Sequence, residues 1–202
     1  LGRIGASLAE GTSIDAVEVE YLGRVAERDT RLLTVQVLKG ILRGHVEEFV
    51  NDVNAPGLAA ERGIDVAETS RAAARDFTDL VRVSVTSGGA STRAVGTTLG
   101  RRNRPHLLEA WGSRFNVQLE PHLAIFRYRD QPGMLGRVGT ALGDAGINVI
   151  SAAVGLRPEG DEATQRSTEA VMLVTADAAV PQSVIDGIAD SDGFIAGRAV
   201  SL

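Results

Sequence analysis

The order of strand and helix patterns between residues 122 and 200 is the feature that most restricts what this chain can fold into. Four short apolar runs predict strands, and two longer amphipathic runs predict helices. In chain order they are strand 122–128, helix 132–145, strands 147–156 and 169–175, helix 181–190 and strand 194–200. Pro132 and Pro181 stand at the helix starts, and Gly146 follows the first helix where a left-handed C-cap is favoured. The order βαββαβ predicts a ferredoxin-like domain.

Two segments of this region carry further expectations. Residues 147–156 contain no charged side chain, which predicts a strand that is buried on both faces or central. The polar stretch after it, residues 157–166, is predicted to be a loop.

Residues 1–119 mix helical and extended patterns in a less regular order. Helices are predicted for residues 1–10, 32–50 and 56–62, the last closed by Gly63, and strands for 14–22 and for a hairpin of 80–86 with 90–99. Residues 106–119 fit either a strand or a short helix, with Trp111 and Phe115 packing inward. This half has equal numbers of acidic and basic side chains, whereas residues 120–202 carry a net charge of -5. We therefore predict an α+β protein of two domains, a mixed α/β domain at 1–119 and a ferredoxin-like domain at 120–202.

Composition removes several classes of function. The chain has no cysteine, which excludes disulfides, thiolate catalysis and cysteine-ligated zinc. Its three histidines lie far apart without a companion motif, so no metal site is predicted. The acidic balance argues against nucleic acid as a partner. The sequence has no apolar run long enough for a transmembrane helix and no secretory signal, so we expect no membrane partner and a cytoplasmic location. The first residue is Leu1, as expected of a fragment or a processed chain.

The run from Phe126 to Asn148, FRYRDQPGMLGRVGTALGDAGIN, combines several features with a physical purpose. Pro132 presets a helix start, and Gly133 lets the backbone pass close to a ligand or a neighbouring chain. The first-turn amides of the helix favour an anionic group. Asn148 begins the next strand, and we expect it beside that loop, where its amide can donate and accept. The run resembles the opening of an ACT domain.

The ACT resemblance implies a site for a small amino acid. The positions that correspond to its effector contacts are Tyr128, Asp130 and Asn148, with Pro132 and Gly133 shaping the loop. Some family members have His and Asn at the first two of these positions, so the class of effector is better defined than its identity. The carboxylate of Asp130 would accept from the effector's ammonium group. The alternative is that Asp130 caps the helix and that Asn148 only satisfies a loop.

The first half resembles a second domain of one enzyme family. EEFVNDVNAPGLAAERGIDVAE, ASTRAVGTTL, the opening LGRIGASL and the run EVEYLGRVAERDTRLL are similar to the intervening domain of the long form of D-3-phosphoglycerate dehydrogenase. The resemblance implies L-serine as feedback effector, homodimers or tetramers, and an upstream catalytic domain that holds NAD. It also implies that this segment has no catalytic residue and no cofactor. Consistently, no G-x-G-x-x-G follows a strand, because Gly133, Gly136 and Gly139 have the wrong intervals.

A basic turn precedes the ambiguous segment. Arg101, Arg102 and Arg104, with His106 just beyond, are a candidate anion site because guanidinium groups suit phosphate. A solvated charged turn explains the same residues. This alternative stays open at the level of the sequence.

Two other functions fit the same patterns. An intervening domain also precedes an ACT domain in iron–sulfur L-serine dehydratase, so the chain could regulate that enzyme. A free-standing ACT sensor or assembly module is the other alternative. Residues upstream of Leu1 would separate the three.

Overall fold

The computed structural model describes residues 1–43, 45–46, 48–73, 76–155 and 169–202. The chain divides into two compact units, Leu1–Leu108 and Glu109–Leu202. Each unit packs helices against a sheet, which confirms the predicted α+β class. The predicted loop 157–166 lies outside the described residues.

The first unit packs helices against one face of a sheet. Its helices are α1 (Gly2–Leu8), α2 (Arg31–Leu42) and α3 (Ala55–Glu61), and its strands are β1 (Ala16–Gly23), β2 (Asp65–Arg71), β3 (Asp79–Ser87), β4 (Ala90–Leu99) and β5 (Arg104–Ala110). The strands lie in the order β2-β1-β3-β4-β5. Alternate residues of β1, Val17, Val19 and Tyr21, are buried against the helices. On the other face Glu20 is buried as well and bonds to Arg82.

The predicted helix 32–50 ends early. α2 stops at Leu42 because the backbone of Arg43 is extended, with φ −61 and ψ 122. Phe49, which lies within the predicted helix range, is 78% exposed. The side chains of Asn51 and Asn54 bond to backbone groups of residues 49–54 and hold a turn there instead.

The strand β2 has no counterpart in the sequence prediction. It pairs in parallel with β1 at the edge of the sheet, and none of its residues is buried, so it has no apolar pattern to detect. The carboxylate of Glu68 accepts hydrogen bonds from the hydroxyls of Thr30 and Thr34 at the start of α2. The Tyr21 hydroxyl lies 2.9 Å from the Oγ1 of Thr34. These polar contacts connect β2 to α2.

The segment 106–119 forms the end of one strand and all of another. Neither a single strand nor a short helix describes it, because the chain turns at Trp111 and Gly112 between β5 and β6 (Ser113–Gln118). Trp111 is 7% exposed, as predicted, and Phe115 is half-buried.

The second unit has the predicted βαββαβ order. Its further elements are β7 (His122–Arg129), α4 (Met134–Asp144), β8 (Val149–Gly155), β9 (Glu169–Ala176), α5 (Gln182–Ala189) and β10 (Phe194–Ser201). The sheet order is β10-β7-β9-β8, with β7 antiparallel to β9 and β10, and β8 antiparallel to β9. Phe126, Met172, Val138 and Ile185 meet in the core on the side of the helices, which we call the helix-side face.

The prediction that residues 147–156 form a strand buried on both faces or a central strand is wrong on both counts. β8 is an edge strand, and Ile150 and Val154 are 53% and 44% exposed. The lack of charged side chains in this strand reflects an apolar surface and not burial in the interior. An edge strand presents a row of backbone donors and acceptors along its outer side, so β8 combines an apolar surface with an open edge.

Candidate ligand-binding site

The β7–α4 loop (residues 130–133) carries three of the five predicted effector residues, Asp130, Pro132 and Gly133. At its start, the amide of Arg129 donates to the carbonyl of Gly193 at 2.8 Å. At its end, Gly133 has φ 92 and is the N-cap of α4, so the helix begins two residues later than predicted. The positive φ is the reason that glycine suits this position.

Among the residues that the structure describes, no side chain caps the first turn of α4. The alternative in which Asp130 serves as the helix cap is therefore wrong, and Asp130 is exposed in the loop. The amides of the first helical turn keep their positive partial charge toward the loop, which favours an anionic group there.

Tyr128 lies at the end of β7, beneath this loop, in the helix-side core. It is 2% exposed, and its ring centre lies 5.8 Å from that of Phe194 at the start of β10. Burial raises the pKa of the Tyr128 hydroxyl, and the negative charge of Asp130 raises it further. The hydroxyl therefore stays protonated at neutral pH and is able to donate a hydrogen bond.

Gly193, which sequence analysis missed, shapes the loop from the side of β10. Gly193 has φ 89, and a Cβ there would collide with the Nε2 of Gln131. That Nε2 in turn lies 3.4 Å from the Sδ of Met134. The Asp192-Gly193 pair, a turn dipeptide before a strand, was the available signal. It indicates a turn but not what the turn touches.

Asn148 does not lie beside this loop in its own chain. β7 and β8 both run antiparallel to β9 and are therefore parallel to each other. Next to Asn148, Val149 pairs with Ala176, whereas Tyr128 pairs with Ala170, about 20 Å further along the sheet at the usual rise per residue. The expected position was wrong because α4 returns the chain to the opposite end of the sheet before β8 starts.

Backbone hydrogen bonds fix Asn148 at the start of β8. Its backbone amide donates to the side-chain Oδ1 of Asp177 at 3.0 Å, and the backbone amide of Asp177 donates to the backbone carbonyl of Asn148 at 3.1 Å. The residue is exposed, and these bonds use none of its side-chain atoms.

The basic residues of the candidate anion site share one turn. Arg101 and Arg102 are exposed in the turn between β4 and β5, where Asn103 has φ 48. Arg104 begins β5, and His106 is half-buried within it. The four residues therefore extend from the turn into the start of β5, and anion binding there stays a prediction.

Within the described residues, no group of three or more His, Cys, Asp or Glu side chains is arranged to hold a metal ion. The helices of that same part of the chain are all too short or too polar to span a bilayer.

Comparisons with known proteins match both halves. Residues 1–110 match the family described as the D-3-phosphoglycerate dehydrogenase intervening domain, and residues 122–189 match the ACT domain. The chain is 35% identical over 188 residues to D-3-phosphoglycerate dehydrogenase of Methanocaldococcus jannaschii, covering 93% of this chain and 34% of that protein. It is 29% identical over 205 residues to that of Bacillus subtilis, covering 100% and 37%.

A third relative gives the same result. The chain is 33% identical over 165 residues to D-3-phosphoglycerate dehydrogenase of Mycobacterium leprae, covering 81% of this chain and 31% of that protein. It thus spans about a third of the length of these relatives. The chain belongs to the D-3-phosphoglycerate dehydrogenase family, and it comprises that family's intervening domain followed by an ACT domain.

Proposed function

We propose that this chain is the regulatory segment of a D-3-phosphoglycerate dehydrogenase, binding L-serine as feedback effector where two ACT domains meet. The observation that carries the proposal is the separation of Asn148 from the β7–α4 loop. One chain holds two sets of exposed polar groups at opposite ends of its sheet, and a single copy cannot bring them to one ligand.

A two-fold axis at the edge of β8 removes this difficulty. Antiparallel pairing of two β8 edges places the start of one β8 beside the end of the other. The end of β8 lies level with Tyr128, since Gly155 pairs with Val171 and Tyr128 with the adjacent Ala170. The Asn148 side chain of one copy then lies at the level of the other copy's β7–α4 loop. The exposed apolar residues Ile150 and Val154 become buried in the same contact.

The chemistry of the assembled site suits a small amino acid. The Asp130 carboxylate accepts hydrogen bonds from the ligand's ammonium group, and the first turn of α4 favours its carboxylate. The Asn148 amide of the other copy donates to the carboxylate or accepts from the ammonium group. The Tyr128 hydroxyl, protonated because its pKa is raised, serves a polar side chain such as that of serine.

The parent enzyme in this proposal oxidises 3-phosphoglycerate with NAD at residues that this chain does not contain. Because L-serine binds across two chains, it favours one arrangement of the pair and thereby alters the activity of the attached catalytic domains. Couplings of this kind typically amount to about 1–3 kcal/mol. The family match makes regulation of a dehydratase and a free-standing sensor the weaker alternatives.

Isothermal titration calorimetry of the 202-residue chain with L-serine tests the proposal. We expect saturable heat in the wild type and none in Asp130→Ala or Asn148→Ala. Asp186→Ala, which removes an exposed carboxylate from α5, is the matched control and should bind like the wild type. Absence of heat in the wild type with L-serine, glycine and other small amino acids refutes an effector role.

Mixing the two inactive variants tests the shared site directly. A mixed dimer of Asp130→Ala with Asn148→Ala keeps both residues at one of its two sites, so random mixing should recover about a quarter of the wild-type sites. If the wild type binds and the mixture recovers nothing, the site lies within one chain.

A further inference from the structure

The chain's single tryptophan occupies a backbone conformation that tryptophan rarely adopts. Trp111 has φ 48 and Gly112 has φ 74, so both residues of the turn between β5 and β6 are left-handed. Two-residue turns of this kind favour Asn-Gly or Gly-Gly. A bulky residue at positive φ is strained, and its presence points to a requirement for the side chain.

The ring of Trp111 lies against two arginines of the second unit's sheet. The guanidinium carbon of Arg127 lies 5.5 Å from the ring centre and that of Arg198 lies 5.9 Å from it. Both distances fall within the range of cation–π attraction. The ring is 7% exposed, so burial and the two guanidinium groups stabilise a position that the backbone disfavours.

The two arginines belong to the strands that hold the candidate site. Arg127 lies between Phe126 and Tyr128, whose rings pack in the helix-side core, so Arg127 faces the opposite side of the sheet. Arg198 lies on β10, which begins with Phe194. Tyr128 and Phe194 are in ring contact across these two strands at 5.8 Å.

The β7–α4 loop contacts the same two strands, β7 and β10. The backbone amide of Arg129 donates a hydrogen bond to the carbonyl of Gly193. The Gln131 side chain lies so close to Gly193 that a Cβ there would collide with it. The β7–α4 loop and the Trp111 ring therefore contact the same two strands, β7 and β10.

We propose that Trp111 couples the occupancy of the β7–α4 loop to the conformation of the turn between β5 and β6. In this proposal the Trp111 ring has two positions. In one, the ring contacts Arg127 and Arg198 and the turn is strained. In the other, the ring leaves the two arginines and the turn relaxes. A ligand that binds one loop conformation better shifts the balance between them. The inference rests on the proposed effector function, and Trp111 acts in it as a positioning residue that does not touch the ligand.

Tryptophan fluorescence and calorimetry on the same samples separate the two proposals. Since Trp111 is the only tryptophan, emission excited at long wavelength reports its environment alone. We expect L-serine to change this emission saturably, with the same midpoint as the calorimetric heat, and D-serine to leave it unchanged. Heat without any change in emission overturns the coupling and leaves the effector function standing. Absence of heat with all small amino acids overturns both.

Amide hydrogen exchange in β6 supplies a readout that a purely structural role would not move. Trp111→Asn deletes the ring while keeping a residue that favours the left-handed turn. We expect L-serine to change exchange of residues 113–118 in the wild type, and this ligand dependence to be lost in Trp111→Asn while the heat of binding remains. A ligand-dependent change that persists in Trp111→Asn contradicts the proposal.

Two arginine substitutions provide the matched comparison. Arg198→Met should remove the ligand response of both the emission and the exchange. Arg114→Met, which removes an exposed arginine from β6, should preserve both responses. Equal behaviour of the two variants would refute the role of the ring contact.

Discussion

Tyr21 and Tyr128 are the only tyrosines of the chain, and each lies in the core of a different unit. Burial raises the pKa of both hydroxyls, with the negative charges of Glu68 and Asp130 acting in the same direction and the hydrogen bond between Tyr21 and Thr34 opposing it. In the unfolded chain both titrate near pH 10. Their contribution to stability is therefore fully present below about pH 10 and is lost as the pH rises through the raised pKa values of the folded state.

We accordingly expect the free energy of unfolding to fall between pH 9 and 11, and to fall less in Tyr21→Phe and Tyr128→Phe. Urea denaturation across this range measures the effect, with phenolate absorbance of the folded protein as a direct record of each hydroxyl. A slope that is the same in the wild type and in both phenylalanine variants would contradict the assignment.

Single residues are also where the sequence was most informative. Gly63 and Gly146 were predicted to close helices, and both have positive φ, 69 and 73. At Gly146 the amide bonds to the carbonyl of Gly143, and the next amide, of Ile147, bonds to that of Leu142. Such caps depend on neighbours in the chain. Asn148 was misplaced because its position depends on the direction of a whole strand.

At the scale of elements, α4 contains glycines that its own chain does not require. A Cβ at Gly139 or Gly143 would meet no atom within 4 Å. Glycine in a helix interior costs about 0.5–1 kcal/mol relative to alanine. We expect Gly139→Ala to raise the free energy of unfolding by up to about 1 kcal/mol, measured by urea denaturation.

Gly146→Ala is the opposite control for that substitution. Its φ of 73 strains any residue with a Cβ, so the same chemical change should lower stability. If Gly139→Ala also destabilises the chain, packing or solvent effects outweigh helix propensity on this face of α4.

Elements with an apolar face were predicted well, and those without one were not. The helices α4 and α5 and the strands β7 and β9 carry buried residues at regular intervals, and they were located within a few residues of their true bounds. β2 buries nothing and was missed. Hydrophobic periodicity records packing, so a strand held by backbone pairing and one carboxylate leaves no such record.

At the scale of the whole molecule, the apolar edge of β8 predicts self-association. Ile150→Lys and Val154→Lys place charges on this edge, which blocks strand pairing. Each should shift the chain toward monomer in sedimentation equilibrium and weaken L-serine binding in parallel. Ile195→Lys, on the opposite edge strand β10, should leave both unchanged. A wild type that is monomeric at high concentration, or lysine variants that remain dimeric, would refute the edge contact.

The candidate site could be predicted only as a set of residues. Tyr128, Asp130 and Gly133 are neighbours in the chain, so a motif identifies them together. Asn148 joins them only through a second copy, because the parallel course of β7 and β8 keeps it at the far end of its own sheet. A single sequence contains no information about the symmetry that would complete the site.

The exposed edge strand β2 has a consequence for the order in which the first unit assembles. Its detachment uncovers little apolar surface, because no residue of the strand is buried; the ladder to β1, the Glu68 contacts and the ion pair of Arg71 with Glu20 oppose it. Forming β2 requires closure of the long connection through α2 and α3, which costs chain entropy, and β2 buries no apolar side chain that would offset this cost. The strand is therefore expected to join last during folding and to open first during native-state fluctuations, while β1, β3 and the helices stay closed.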